Sequence, residues 1–467
     1  MSHGPGPLLT KTMPEGQAIA PDAPQPVVRM VDAIALTVGI VIGAGIFRTP
    51  ALIAANSTGE WTVYLAWSLG GVISIVGALV YSELATTYPH AGGDYHYLTR
   101  AFGHRLSFLF AWARMSVIQT GAIAFSLFVF GDYLGQIVSL GAHSSAIYAG
   151  LAVVALTGLN ILGVREGTGT QNFLTSLEVL GVILVIVAGL MIVAPPPQAT
   201  TNTATPAASS SSFGLIMVFV LLTYGGWSEA AYVSAELRNV RRNMVRVLML
   251  SIALITALYL LINWAYLHAL GLAGTAQAEQ VAAVIMNRAF GARGADIISL
   301  LIAISALTTA NATVFTGART SYAFGCDFPA FRFLGRWSPR TSTPVNALLL
   351  QGGIAIVLVL FGVLTRRGFE TIVEYTAPVY WFFILLTSIS LFVLRRKEGT
   401  ITRPFRVPLY PVTPMLFSLA STYLLYSSLR YTGVGAFAGV SVLVVGAILL
   451  LFIHPSTSDQ KRHEGGN

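Results

Sequence analysis

The chain has 467 residues, of which 55% are hydrophobic and only 10% charged, with a formal net charge of +8. Soluble domains carry about 25% charged residues, so this composition excludes an ordinary soluble protein and points to a membrane protein. The positive charge does not indicate nucleic acid, because it sits in alternate connections between long apolar runs, and the single cysteine, Cys326, excludes an internal disulfide.

Residues 1–29 are polar, rich in Pro and Gly, and too poor in apolar side chains to fold. They are expected to form a disordered cytoplasmic tail. A helix needs about 20 apolar residues to cross a bilayer. Runs of that kind predict twelve spans, near 30–54, 62–87, 103–130, 145–163, 171–194, 213–237, 246–270, 295–325, 344–363, 371–394, 411–430 and 435–453. Spans one to five make a first unit, 30–194. Residues 195–212 begin Pro-Pro-Pro and continue in Thr, Ala and Ser, and read as a flexible extracytoplasmic linker. Spans six to ten follow in 213–396. Spans eleven and twelve, with the loop before them, occupy 397–454, and 455–467 is expected as a cytoplasmic tail. The stretch 275–292 is mildly amphipathic and predicts a short outer surface helix.

With the N-terminus inside, twenty Arg and Lys fall on the cytoplasmic side against five outside. That is the positive-inside pattern, and it places both termini in the cytoplasm. The other two, Arg48 and Arg114, lie deep within spans.

Span one carries Gly39, Gly43 and Gly45 near its midpoint, and span six carries Gly225 and Gly226. Each glycine costs a helix interior roughly 1 kcal/mol relative to Ala. Gly39 and Gly43 alone fit small-residue helix packing. Paired interruptions in two spans point instead to a transporter, because unwound backbone at membrane depth is tolerated where it lines a cavity. Freed N–H groups of Gly43, Ala44 and Gly45 would hold a substrate carboxylate. Carbonyls of Val41, Leu222 and Gly225 would accept an α-ammonium group. Five crossings is an odd number, so the second unit starts from the opposite side, which predicts an inverted repeat.

Other residues divide between a site and a structural role. Gln119, Ser228 and Asn311 are polar groups within spans that would touch a substrate or bond between helices. Glu178, an acid at membrane depth, is functional by default. It is expected to titrate or pair with a cation during a cycle, against the alternative of a protonated or paired structural carboxyl. Glu83 and Glu236 read as ion-pair or helix-end groups, and Glu229 as a candidate for the inner pathway. Arg114 needs a carboxylate or carbonyl partner. Arg48 either snorkels or attracts anions at an outer vestibule. No phosphate-binding Gly-x-x-x-x-Gly-Lys loop, His-Glu-x-x-His motif or Cys/His cluster is present. Neither an enzyme, ATP drive, a metal nor another cofactor is expected.

Ile42-Gly43-Ala44-Gly45-Ile46-Phe47 resembles the first-helix signature of the amino acid–polyamine–organocation superfamily. Tyr81-Ser82-Glu83-Leu84 with Tyr88-Pro89-His90-Ala91-Gly92-Gly93-Asp94-Tyr95 is similar to its second-helix end. Tyr224-Gly225-Gly226-Trp227-Ser228, with Glu236-Leu237-Arg238-Asn239 and Arg242-Asn243, resembles its sixth helix and exit. Ala111-Trp112-Ala113-Arg114 is similar to the L-type amino acid transporter branch and its bacterial relatives. The likeness runs over residues 31–408.

The resemblance implies an all-α, LeuT-like membrane fold with a 5+5 inverted repeat and twelve helices, of which the first and sixth are broken. It implies amino acid transport by alternating access, across a bacterial plasma membrane. Val41, Gly43, Ala44, Gly45, Leu222 and Gly225 fall on its substrate-contacting positions, with Leu222, Trp227 and Ser228 as gate or pocket groups. Neutral L-amino acids are the expected substrates, moved by exchange or with protons. Cationic amino acids or polyamines stay open through Glu178 and Glu229, as does a nutrient sensor without net flux; a channel is a further alternative. Leu222 departs from an aromatic gate, Ala44 from a serine, and Glu178 from a lysine found in many sodium-independent relatives. Eukaryotic members join a heavy chain through a cysteine between helices three and four. Residues 131–145 contain none, so no disulfide-linked heavy chain is expected.

Overall fold

The computed structural model describes residues 28–192 and 210–453, apart from Ala44, Ala91, 164–167, Ala235, Pro339, Ser342, 366–367 and Thr432. Residues 1–27 of the expected N-terminal tail and the whole C-terminal one lie outside the described residues, as does nearly all of the expected linker. Among the described residues all regular structure is helical, beyond two isolated bridges, Val28–Leu237 and Ser338–Thr343.

In chain order, α1 (Met30–Ile42) and α2 (Gly45–Asn56) form a pair bent by 41°. α3 (Glu60–Thr87) is long, and α4 (Asp94–Phe102) is short. α5 (His104–Ala113) passes through a π-helical turn, Arg114–Ile118, into α6 (Gln119–Ile137). α7 (Ser144–Ile161) and α8 (Thr168–Met191) precede the linker. α9 (Ser210–Thr223) stops at the second glycine pair, and a 3-10 turn, Trp227–Val233, follows. α10 (Val240–Gln277) and α11 (Val281–Asp327) each bend at a positive-φ glycine, Gly271 and Gly291. α12 (Val345–Thr365), α13 (Gly368–Lys397), α14 (Val412–Tyr431) and α15 (Val434–Phe452) complete the chain.

Among the described residues ten helices are long and apolar enough to cross a membrane, or eleven if α1 and α2 count as one span. Twelve were expected from sequence, so the count is one lower. The difference is α14, on the expected eleventh span. It is a full helix, but four serines, two threonines and three tyrosines dilute its apolar content. Most of its serine and threonine hydroxyls bond to nearby carbonyls, as Ser418 does to that of Pro414, and Ser418 also meets Ser388 of α13. The third span is also longer than expected, because α6 continues to Ile137. The helix expected over 275–292 exists as the first part of α11, before Gly291, with one face exposed at Asn287, Arg288 and Phe290. Val281, Ala282, Ala283, Ile285 and Met286 on it are all buried.

Lipid-facing surfaces are apolar, with Leu151, Val154, Phe437 and Leu451 exposed. Inside, close approach replaces the hydrophobic drive that lipid removes. At Gly71 of α3 a Cβ would fall 2.6 Å from Thr256 of α10, so glycine lets these helices touch. Trp67, Tyr224 and Tyr259 interlock beside this contact, with ring centroids 5.0–5.9 Å apart. On the arginine-rich side Glu83 is fully buried. It accepts from Arg395 Nε at 2.7 Å and lies 3.4 Å from Arg403 Nε, fastening α3 to α13 and the following loop. Glu83 thus has the structural ion-pair role expected of it.

Candidate functional site

The two glycine interruptions face each other. α1 stops because Gly43 leaves helical geometry, with its N–H closing the last turn on the Gly39 carbonyl at 3.3 Å. α9 stops at Thr223, and Gly226 takes φ +99°, a conformation that L side chains rarely adopt. A Cβ on Gly226 would fall 2.7 Å from Ile40 Cγ2, and one on Gly45 would fall 3.0 Å from Thr223 Cγ2. Each break therefore packs directly on the other helix.

A cavity of about 890 Å³ lies against these breaks. Its wall includes Val41, Gly45, Leu222, Gly225, Gln119 and Asn311 among the residues singled out from sequence. Arg114, Glu229 and Glu236 also line it, and the remaining candidates lie elsewhere. Gly43 packs toward Thr309 of α11, and Ala44 is outside the described residues. Trp227 is buried edge-on against Tyr81, with centroids 5.0 Å apart, and beside Phe417. Ser228 is buried next to Tyr380.

The backbone acceptors are partly engaged. The Tyr259 hydroxyl donates to the Val41 carbonyl at 2.7 Å and to that of Thr223 at 3.2 Å. The Gly225 N–H donates to the Leu222 carbonyl at 3.0 Å. A carbonyl oxygen has two lone pairs, so Val41 and Leu222 keep capacity for an ammonium group. Tyr259 gave no signal in sequence beyond being a tyrosine in mid-span.

Polar side chains continue the wall. Asn160 Nδ2 donates to Asn311 Oδ1 at 2.7 Å, joining α7 to α11, and Gln119 Nε2 lies 3.5 Å from Thr316 Oγ1. Thr313, Thr316 and Thr320 give their protons to their own helix's carbonyls. Their lone pairs remain for donors in the cavity.

Arg114 has the partner that sequence could not name. Its Nη2 donates to both oxygens of Glu229, at 3.1 and 2.9 Å, and its guanidinium lies 4.2 Å over the Tyr232 ring. Glu229 is thereby committed to an arginine. Glu178 does not line the cavity. It lies in α8 behind α1, where Ser305 Oγ donates to Oε1 at 2.8 Å and Oε2 has no partner. A Cβ on Gly39 would fall 3.4 Å from that Oε2, so Gly39 makes room for the carboxyl.

The cavity extends from the breaks to Val28, Asp32, Glu236 and Asp327. Past the first break, in α2, Arg48 is neither a snorkelling group nor a free anion site. It donates to the Glu279 carbonyl at 2.8 Å, lies 3.8 Å from Asp132 and 3.7 Å from Glu370, and faces the Phe369 ring. It therefore joins α2, α6 and α13 above the breaks.

A profile of the family described as amino acid permease matches residues 28–457. The chain belongs to the amino acid permease family. Its similarity extends over most of the length of its relatives. Human b(0,+)-type amino acid transporter 1 is 28% identical over 433 residues, covering 91% of this chain and 87% of the relative. The serine/threonine exchanger SteT of Bacillus subtilis is 26% identical over 415 residues, covering 88% and 92%. Mouse large neutral amino acids transporter small subunit 2 is 28% identical over 426 residues, covering 89% and 79%. This permease is a multi-pass membrane transporter of the amino acid–polyamine–organocation superfamily, not an enzyme.

Proposed function

We propose that this permease is a secondary active transporter of amino acids that works by alternating access, with neutral L-amino acids as its main substrates. The observation that carries the reading is the meeting of the two glycine breaks over one cavity. A carboxylate would be held by the N–H groups that open α2, Gly45 first, because the Gly43 N–H is given to the Gly39 carbonyl, and an ammonium by the carbonyls of Val41, Leu222 and Gly225. The head group common to all amino acids is then read by backbone. Side-chain selection falls to Gln119, Phe125, Thr316, Ile372 and Thr376, none of which is charged.

The fold we infer is LeuT-like, with spans one to five and six to ten as inverted halves and α14 and α15 outside them. Both termini are taken as cytoplasmic in a bacterial plasma membrane, following the arginine and lysine distribution. The cavity extends toward that arginine-rich side, so the conformation reads as inward-facing. Coupling is by exchange or by protons, with Glu178 as the coupling candidate. No disulfide-linked heavy chain is expected. Cationic amino acids or polyamines are a second reading, favoured by Asp32, Glu236 and Asp327 along the lower wall.

Uptake into proteoliposomes tests this. Radiolabelled neutral, cationic and acidic amino acids and a polyamine are offered with and without internal substrate, at two pH values. Saturable uptake that internal amino acid accelerates is expected. Absence of signal with every amino acid would sink the substrate class, and binding without flux would identify a sensor.

A further inference from the structure

Asp94 opens α4 and is only 5% exposed. It sits behind the cavity wall, next to Arg114, Glu229 and Tyr232, which line it. The Tyr232 hydroxyl donates to Oδ2 at 3.1 Å, while Oδ1 has no hydrogen-bond partner. Arg114 gives its charge-assisted bonds to Glu229, and its Nε also has no partner. One arginine thus stands between two carboxyls and is bonded to one of them.

The groups facing Asp94 are Tyr81 of α3, Tyr97 of α4, Arg114 of the π turn, Glu229 and Tyr232 of the 3-10 turn, and Tyr380 of α13. Among these only Arg114 is a cation. Ionising both acids would leave an excess negative charge buried among four tyrosines, which is costly. Burial pushes the Asp94 carboxyl above its ordinary range, against the opposing pull of the Tyr81 hydroxyl, Arg114 and the Tyr232 hydroxyl.

We propose that Asp94 is a proton-binding site, filled while Arg114 holds Glu229 and emptied when Arg114 turns toward Asp94. On emptying, the carboxylic acid gives its proton to solvent entering the cavity. Oδ1 becomes an acceptor for Arg114 Nε, and the guanidinium stays charged throughout. Glu229 then loses part of its hold, and so does the turn Trp227–Val233 that follows the second break. Proton occupancy on the cavity side sets how firmly that turn is fastened. The site itself stands on geometry; its effect on flux rests on the transport reading.

Infrared difference spectra between acid and alkaline pH, on the purified full chain, read a protonated carboxyl without any transport. The wild type should show such a band titrating, Asp94→Asn should lose it, and Glu178→Gln should keep it. Tyr232→Phe removes a donor to the ionised form and should move the midpoint up by roughly one pH unit. In proteoliposomes, counterflow of labelled serine, leucine and lysine separately tests the transport reading. Where it occurs, its pH profile should flatten in Asp94→Asn at the wild type's acid value. An Asp94→Asn spectrum identical to wild type overturns the proposal. If Asp94→Asn does not fold, an unmoved midpoint in Tyr232→Phe overturns it instead.

Discussion

The hydroxyl of Tyr259 donates to the carbonyl of Val41 at 2.7 Å, across 218 residues of chain. The same proton is shared with the Thr223 carbonyl at 3.2 Å. One phenol on α10 thus ties the end of α1 to the end of α9. Tyr259→Phe keeps the ring packing on Trp67 and Tyr224 and removes only this link. A typical net hydrogen bond contributes about 0.5–1.5 kcal/mol. Concentration dependence of uptake should show half-saturation raised by about three- to tenfold, with the maximal rate less affected. An unchanged half-saturation would show that the link does not shape the site.

Gly226→Ala forces an L side chain into φ +99° and places its Cβ against Ile40. Strain of that kind costs about 1–3 kcal/mol. The variant should melt at a lower temperature and lose uptake more than it loses stability, because the two breaks must separate. Thermal unfolding in detergent and uptake, measured side by side, check this.

Arg48 lies in α2, on the other side of the first break from the acidic wall at Asp32, and its contacts would act as a closure there. Its carboxylate contacts are longer than 3.5 Å and partly exposed, so their loss costs at most about 1 kcal/mol. The expected effect of Arg48→Gln is therefore on population, not folding. In a Cys326→Ser background, Ser126→Cys on the cavity wall should react faster with a membrane-impermeant thiol reagent added outside when Arg48 is Gln. Equal rates would mean that Arg48 is not a closure.

Glu229→Gln leaves the buried Arg114 without its counter-charge. Removing one partner of a buried pair costs about 3–5 kcal/mol, and the partial exposure of Glu229 puts the lower figure in force. Removing both, as Arg114→Gln with Glu229→Gln, should recover part of that loss. Melting temperatures of the two single variants and the double variant decide it; additive losses would contradict the pairing.

Glu178→Gln should abolish the response of uptake to an imposed pH gradient while leaving counterflow at equal pH in place. A gradient response like that of the wild type would return Glu178 to a purely structural role.

What the sequence made legible was backbone chemistry. Glycines at 43, 45, 225 and 226 announce broken helices through their own conformational cost, so the breaks needed no knowledge of neighbours. Long-range side-chain contacts were not legible in the same way. Asp94 and Tyr232 are 138 residues apart, and no local pattern encodes their meeting. Arg48 looked like an interfacial arginine because its partners come from three distant elements. Trp227 follows the break and so reads as a pocket group, whereas its ring packs with that of Phe417 into the space that Gly77 of α3 leaves. The eleventh span misled because hydroxyls that bond back to their own helix still count as polar when composition alone is read.

The π-helical turn Arg114–Ile118 has a consequence for the order of side chains along the cavity. Its extra residue lets the Gln119 N–H reach back five positions to the Arg114 carbonyl. Arg114 and Gln119 consequently both look into the cavity, while Met115, one α-helical turn before Gln119, is absent from its wall. An uninterrupted α-helix advances about 100° per residue and would set Arg114 and Gln119 well apart around the axis. Forcing Arg114–Ile118 into plain α-helix would swing the arginine about 140° away from Gln119, whereas deleting one residue from Met115–Val117 would remove the bulge and keep the two on one face at i, i+4. Which charge the cavity presents beneath the breaks is thus written in helical phase as much as in residue identity.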